Sequence, residues 1–271
     1  MGRYVVIVAA LLVFILLDST ESRGTRRRKP LPAWATKIHR KGTCASYNVC
    51  GKNEHGFVPC PANIEFQPIE DSAASLMKKH CPSLWHKAKR SRKACCTKIE
   101  LDDVLSSANE WKEYLLGCPA CWKSFVDFWC MMVCSPDQST FTDVKAVKEL
   151  KRGDENPLRN LWQTGISEMN VHVDNDVKSA LYRSCKDVKF RGRKAMRKFS
   201  NAKNGDQFLA AIGNSVDKGG KLAFQINFPT RAPRNITPLK MSVLNCWDGG
   251  AKCKCSDCPA SCPSESLLYA S

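Results

Sequence analysis

The chain has 271 residues, 43% apolar and 25% charged, and its 42 Lys and Arg against 26 Asp and Glu give a formal charge of +16. That length allows one large domain or two small ones, and either can bury a real core. No apolar run reaches the length of a membrane helix, and an N-terminal leader excludes nucleic acid as the target of the charge.

Residues 1–22 read as a secretory signal. Arg3 is a short positive start, Val5 to Leu17 an apolar run of thirteen, and Asp18 to Ser22 the small and polar positions before a cleavage site near Thr20 to Ser22. Cleavage leaves about +17 on the mature chain. Residues 23–43 follow as a basic, disordered arm, with eight basic residues and no acidic one from Arg23 to Lys41. Arg26 to Lys29 within it also suits a basic-specific processing protease.

From Cys44 to Cys60, turn residues and close cysteines suggest a small cross-linked loop. Leu76 to Cys81 reads as a short helix ending at Pro82. From Glu100 to Leu116, residues Leu101, Val104, Leu105, Ala108, Trp111 and Leu115 follow the spacing of an amphipathic helix, closed by Gly117. The next segment, CPACWKSFVDFWCMMVC from Cys118 to Cys134, carries cysteines three and four apart at its two ends. Trp122, Phe125, Val126, Phe128, Trp129, Met132 and Val133 lie between them. A helix apolar over most of its girth and stapled at both ends is a buried central element, lying against the helix before it and stopped by Ser135-Pro136.

Asp143 to Arg152, Glu168 to Cys185 and Asp206 to Ile212 are expected to be helical. Leu222 to Phe228 alternates apolar and polar residues and reads as a strand. Asn235-Ile236-Thr237 is a glycosylation sequon. Cys246 to Cys262 packs five cysteines into seventeen residues, leaving room for little but disulfide-bonded loop, and 264–271 is a tail.

All sixteen cysteines follow the leader, and an even number in an oxidising compartment implies eight disulfides. Cys118 and Cys121 at a helix start have the form of a redox pair, but a thioredoxin-type pair follows a strand and this one follows a helix. Cys253, Cys255, Cys258 and Cys262 have metal-site spacing, against which the oxidising compartment argues for disulfides. The histidines are scattered, with neither HExxH nor a GxSxG nucleophile nor a phosphate-binding glycine loop, so no enzyme, cofactor or metal is expected. Basic clusters at Arg23–Lys41, Lys78–Lys93 and Arg183–Lys203 leave two readings open. They are solvated surface, or they draw anionic membranes, sulfated glycans or acidic partners.

The double cysteine Cys95-Cys96, the run CPACWKSFVDFWCMMVCSPDQSTFTDV, the later YRSCKDV and the closing CKCSDC carry a resemblance across residues 44–263. The chain is similar to the N-terminal luminal domain of the Niemann–Pick C type-one family of lysosomal sterol export. The resemblance implies an α+β, disulfide-rich globular domain, with helices around a small mixed sheet and an internal pocket for one sterol. It implies the pairs Cys44–Cys95, Cys50–Cys60, Cys81–Cys130, Cys96–Cys134, Cys118–Cys253, Cys121–Cys185, Cys246–Cys258 and Cys255–Cys262. Both halves of a further family pair are missing between Phe190 and Ser200. At the sterol's hydroxyl end, the family's asparagine and glutamine become Pro59 and Glu100, and a tryptophan becomes Ser46. Val104, Trp129, Phe208, Leu209 and Phe224 fall at apolar wall positions. Pro59 offers no side-chain hydrogen bond, and a buried Glu100 must be paired or protonated, which leaves the ligand's identity open.

The function implied is a non-enzymatic, soluble sterol-binding and transfer protein of the endosomal or lysosomal lumen or the secreted fluid. Its partners would be a sterol or similar lipid, a soluble sterol carrier and an anionic membrane surface, but no nucleic acid. Ending at Ser271, the chain is expected to act without the family's membrane spans, as a free-standing carrier or a truncated product. The alternative is an extracellular interaction protein on the same scaffold, binding sulfated glycans or anionic membranes without a sterol. A small polar ligand, as in the loosely similar folate receptors, is disfavoured by the SPDQSTF match.

Overall fold

The computed structural model describes residues 39–150, 164–247 and 249–262. The leader, the arm up to residue 38, the end of the Asp143–Arg152 segment and the 264–271 tail lie outside the described residues. Where the sequence suggests a cross-linked loop, β1 (Thr43–Asn53) and β2 (Gly56–Glu65) form an antiparallel hairpin, with Cys50–Cys60 bridging its two strands. The turn is made by Asn53, whose side chain accepts the His55 N–H at 3.0 Å, and by Gly56 at φ +129°. Pairing is irregular between Cys44 and Gly51, and Asn48 sits in that stretch at φ +70°. Asparagine tolerates this left-handed conformation better than most residues. Pro59 lies opposite Val49 in the same broken ladder, where a missing N–H does least harm.

Strand β3 (Gln67–Pro68) pairs with β4 (Lys93–Ala94), bracketing helices α1 (Asp71–His80) and α2 (Pro82–Ala88). Pro82 ends one helix and opens the next, because a proline at a first helical position forfeits no hydrogen bond. Helix α3 (Lys98–Asn109) starts earlier than its apolar pattern suggests, at a capping box of Thr97 and Glu100. It breaks after Ser106-Ser107-Ala108-Asn109, whose polar residues are poor helix formers, so Lys112–Leu115 is a separate turn, α4. Helix α5 (Pro119–Cys134) is the centre of the fold, with twelve of its sixteen residues buried. Helices α2 and α3 pack on it, and it ends before Ser135-Pro136 as expected.

Two expected helices are corrected. Asp143 to Glu149 belongs to strand β5 (Thr142–Glu149), and Glu168 to Val171 to strand β6 (Thr164–Val171), its antiparallel partner. Helix α6 (Asn175–Cys185) begins only after Asp174, which caps it by accepting the Asp176 N–H at 2.9 Å. In β5 the buried Thr142, Val144 and Ala146 alternate with more exposed neighbours. So short a run fits helix and strand templates alike, and a partner twenty residues away decides between them.

The two-residue strands β7 (Lys189–Phe190) and β8 (Arg193–Lys194) pair, and α7 (Gly205–Ile212) follows as expected. Gly205 lets α7 press on α6, since a Cβ there would stand 2.4 Å from the Lys178 carbonyl oxygen. Within Leu222–Phe228 the strand is β9 (Gln225–Asn227), which pairs parallel to β6 and completes the sheet β5–β6–β9, while Leu222 makes an isolated bridge to Ser215.

Eight disulfides close the structure: Cys44–Cys95, Cys50–Cys60, Cys81–Cys130, Cys96–Cys134, Cys118–Cys253, Cys121–Cys185, Cys246–Cys258 and Cys255–Cys262. Cys118 and Cys121 have separate partners, and Cys253 to Cys262 are all bridged. The redox and metal readings of those cysteines therefore fall. The last residues of the basic arm are attached to the body: His39 bonds the Ser139 carbonyl at 2.8 Å and Asp143 at 2.9 Å.

Candidate ligand cavity

The hairpin, α3, the end of α5 and strand β6 meet around a partly open space of about 60 Å³. Four of the residues expected at the site line it: Pro59 from β2, Glu100 and Val104 one turn apart on α3, and Phe224 on the approach to β9. Val49, Phe57, Met132, Val133 and Met169 complete a largely apolar wall, and Ser46, Asp103 and Gln138 add polar groups. The other three expected residues stand in the neighbouring core instead. Trp129 packs 6.3 Å from Phe125, and Phe208 lies 4.9 Å from Phe199. Leu209 is fully buried beside Phe208 on α7. Helix α7 is drawn onto α6 by its apolar face, which turns Phe208 and Leu209 away from the cavity.

Glu100 is the most unusual group here. Its capping-box position aims one oxygen, Oε2, at the start of α3, where it accepts the Thr97 N–H at 2.8 Å and the Thr97 hydroxyl at 3.2 Å. The same oxygen accepts the N–H of Asn48 at 2.9 Å, which the left-handed backbone of β1 turns toward it. The other oxygen, Oε1, is buried and has no partner. Burial pushes the Glu100 carboxyl up to about 7, against the pull of those hydrogen bonds, and the nearby Asp103 adds to the rise. Asp103, half-buried one turn along α3, is itself raised to about 6 by burial, although the Phe57 N–H and Lys52 oppose this. The cavity therefore carries two carboxyls on one helix face, both of which titrate near neutrality.

Gln138 has a different task. Its carbonyl oxygen accepts the N–H groups of Ala45 and Ser46 at 3.0 and 2.9 Å, and its amide donates to the Ser46 hydroxyl and the Val133 carbonyl. It ties the end of α5 to β1 and uses up the Ser46 side chain. Sequence reasoning quoted Gln138 within SPDQSTF without giving it a role. Asp103 went unnoticed, although its place three residues after Glu100 on an amphipathic helix was a usable signal.

Pockets for small-molecule ligands span about 300–1,000 Å³. A guest of sterol size therefore needs the walls to part. Met132 and Met169 are adaptable side chains, and Phe57 and Phe224 are only half-buried. Among the described residues no helix is long and apolar enough to cross a membrane, and the sequon residue Asn235 is exposed.

A family model described as Niemann-Pick C1 N terminus matches residues 41–270. Among curated proteins, the NPC1-like intracellular cholesterol transporter 1 of Rattus norvegicus is 29% identical over 251 residues, covering 84% of this chain and 18% of that protein. Its Homo sapiens counterpart is 28% identical over the same shares. The NPC intracellular cholesterol transporter 1 homolog 1 of Caenorhabditis elegans is 25% identical, over 59% of this chain and 12% of its own length. The chain thus spans less than a fifth of the length of these relatives.

Proposed function

The chain belongs to the Niemann-Pick C1 N-terminal family, and from that premise we propose that it binds a hydroxyl-bearing, sterol-like lipid, without catalysis, in the cavity beneath the β1–β2 hairpin. The observation that carries this reading is the unpartnered Glu100 Oε1 in an otherwise apolar enclosure. A buried acceptor without a donor is costly, and a ligand hydroxyl would remove that cost while the rest of the lipid fills the apolar wall. The Pro59 side chain supplies neither donor nor acceptor, so recognition of the polar end falls to the Glu100 carboxyl. Above about pH 7, where that group is ionised and only accepts, the ligand must donate, which favours a free hydroxyl over a ketone or an ester.

In this reading residues 1–22 are removed, residues 44–263 form the binding domain in the lumen or outside the cell, and Asn235 is a glycosylation site. Passing the lipid to a membrane or a soluble carrier extends the same proposal. Native mass spectrometry of secreted protein tests it, followed by loading with a sterol and with its ketone analogue. A sterol-mass adduct and preference for the alcohol support the reading; a protein that is empty and refuses added sterol overturns it.

The small cavity and the charge of +16 favour a second reading, a scaffold that binds anionic glycans or membranes without a sterol. It requires elution from a heparin column only at high salt, and elution at low salt would end it.

A further inference from the structure

A second concavity, of about 860 Å³, shares no residue with the cavity under the hairpin. It runs between the end of α1 with α2 on one side and the segment 240–244 on the other, with α5 as its floor. The floor is apolar: Trp122, Val126 and Met131 come from α5, and Met241 and Leu244 from the facing segment. The walls carry lysines on both sides, Lys79 and Lys87 on one and Lys123 and Lys240 on the other, with His80 and His86 beside the first pair; burial and the neighbouring Lys79 hold the His80 imidazole below its ordinary range.

Some of these charges are engaged. Lys87 pairs with Asp137 at 3.4 Å, Lys240 with Asp174 at 3.6 Å, and Lys123 donates to the Gly250 carbonyl at 3.3 Å. Lys79, His80 and His86 have no ion pair among the described residues. The one acidic group in the groove, Asp127, is buried and already used, since both its oxygens accept the Ser83 N–H at 3.1 Å and so cap α2. Asp137 and Asp174 answer Lys87 and Lys240, which leaves Lys79 and Lys123 without an acidic partner among the described residues.

We infer that this groove docks an acidic amphipathic segment of a partner protein, its apolar side chains on the α5 floor and its carboxylates against the basic walls. The charges select this occupant. Lysines at four positions on two walls match carboxylates spread along a chain, whereas one lipid headgroup would meet few of them. A sulfated glycan has no apolar face for Trp122 and Met241, and a flat bilayer does not enter a concave floor. Lys79 and Lys123 are exposed on opposite walls, which makes them suitable for reversal without disturbing the core.

The test uses a labelled synthetic peptide with Leu at i, i+3, i+4 and i+7 and Glu elsewhere, read by fluorescence anisotropy on the secreted protein. Controls are the same peptide with serine for leucine, a heparin oligosaccharide and phosphatidylserine vesicles. The amphipathic peptide should bind about tenfold tighter than the serine peptide, since a few buried leucines are worth at least that factor. Lys79→Glu/Lys123→Glu should lose about tenfold or more of that binding, with unchanged circular dichroism. Met241→Ser should weaken the leucine peptide and leave the serine peptide alone. Equal binding of the two peptides, indifference to the charge reversal, or displacement by heparin or vesicles of a peptide whose binding ignores Met241→Ser would each overturn the inference.

Discussion

Glu100→Gln makes the sharpest test of the cavity, because the structure states both what the carboxylate does and what it costs. The wild-type carboxyl titrates near 7 when folded and near 4.5 in its ordinary range. A folded value raised above the unfolded one means that the native state holds this proton more tightly. Below the ordinary range both states are protonated and the group has no effect on stability. As pH rises from there to about 7 the folded protein loses stability, and the loss is complete above 7. Each pKa unit corresponds to about 1.4 kcal/mol, so the penalty at pH 8 is about 3 kcal/mol. Glutamine carries no charge to desolvate. Its carbonyl oxygen can still accept from Thr97 and Asn48, and any loss from making those bonds neutral is the same at every pH and cancels in the comparison. Denaturant unfolding of both proteins, disulfides intact, at pH 5, 6.5 and 8 reads the difference directly. Asp103 titrates in both proteins and largely cancels in that difference. Glu100→Gln should gain relative to wild type by about 2.5 kcal/mol between pH 5 and 8. At pH 8, where the wild-type carboxyl is ionised, it should also accept a ketone analogue of the ligand that wild type refuses, because its amide brings a donor to the cavity. Parallel stabilities across that pH range would refute the reasoning, since Glu100 would then not be a buried, titrating acceptor.

Val104→Asp adds a third carboxyl to the cavity, and lipid loading should fall by more than about tenfold. A variant with native near-ultraviolet dichroism and unchanged loading would place the ligand elsewhere. Asp143 bonds His39 at 2.9 Å and His172 at 3.2 Å, and the His172 hydrogen bond holds its carboxyl below the ordinary range. Asp143→Asn should therefore destabilise by about 1–2 kcal/mol at neutral pH, the difference shrinking as pH falls below about 4. A constant difference down to pH 2 would show that titration of Asp143 is not involved. The buried Lys178 bonds the half-exposed Asp206 at 2.8 Å and the Thr230 carbonyl at 3.4 Å. Asp206→Ala, which strands the ammonium, should cost about 2 kcal/mol, and Lys178→Met less. The reverse order in thermal denaturation would deny that Lys178 needs its partner.

How far the sequence can be read depends on how far apart the deciding residues lie. The buried girth of α5 follows from an apolar surface with few polar breaks. The helical faces of α3 and α7, the stop at Ser135-Pro136 and the even cysteine count are equally local matters. Such features were legible because side-chain periodicity and caps act within one or two turns of chain. Strands β5 and β6 were misread because eight residues with inward Val144 and Ala146 suit either period, and only the distant partner makes the ladder. Wall positions carried over by family likeness split for a related reason. Pro59, Glu100, Val104 and Phe224 meet at the cavity, while Trp129, Phe208 and Leu209 follow their own helices into the core.

The cysteine-rich class and the helical centre of this protein were determined by the sequence alone, through short-range pattern and composition. Tertiary structure decided the chemistry. Glu100 is raised toward neutrality because the folded chain buries its carboxyl, against the pull of the N–H of Asn48, fifty-two positions away. The basic walls of the second groove come from three separated segments, brought together over one helix. A group's solvation and its unmet hydrogen bonds are set by what the folded chain places beside it, and no local pattern records that.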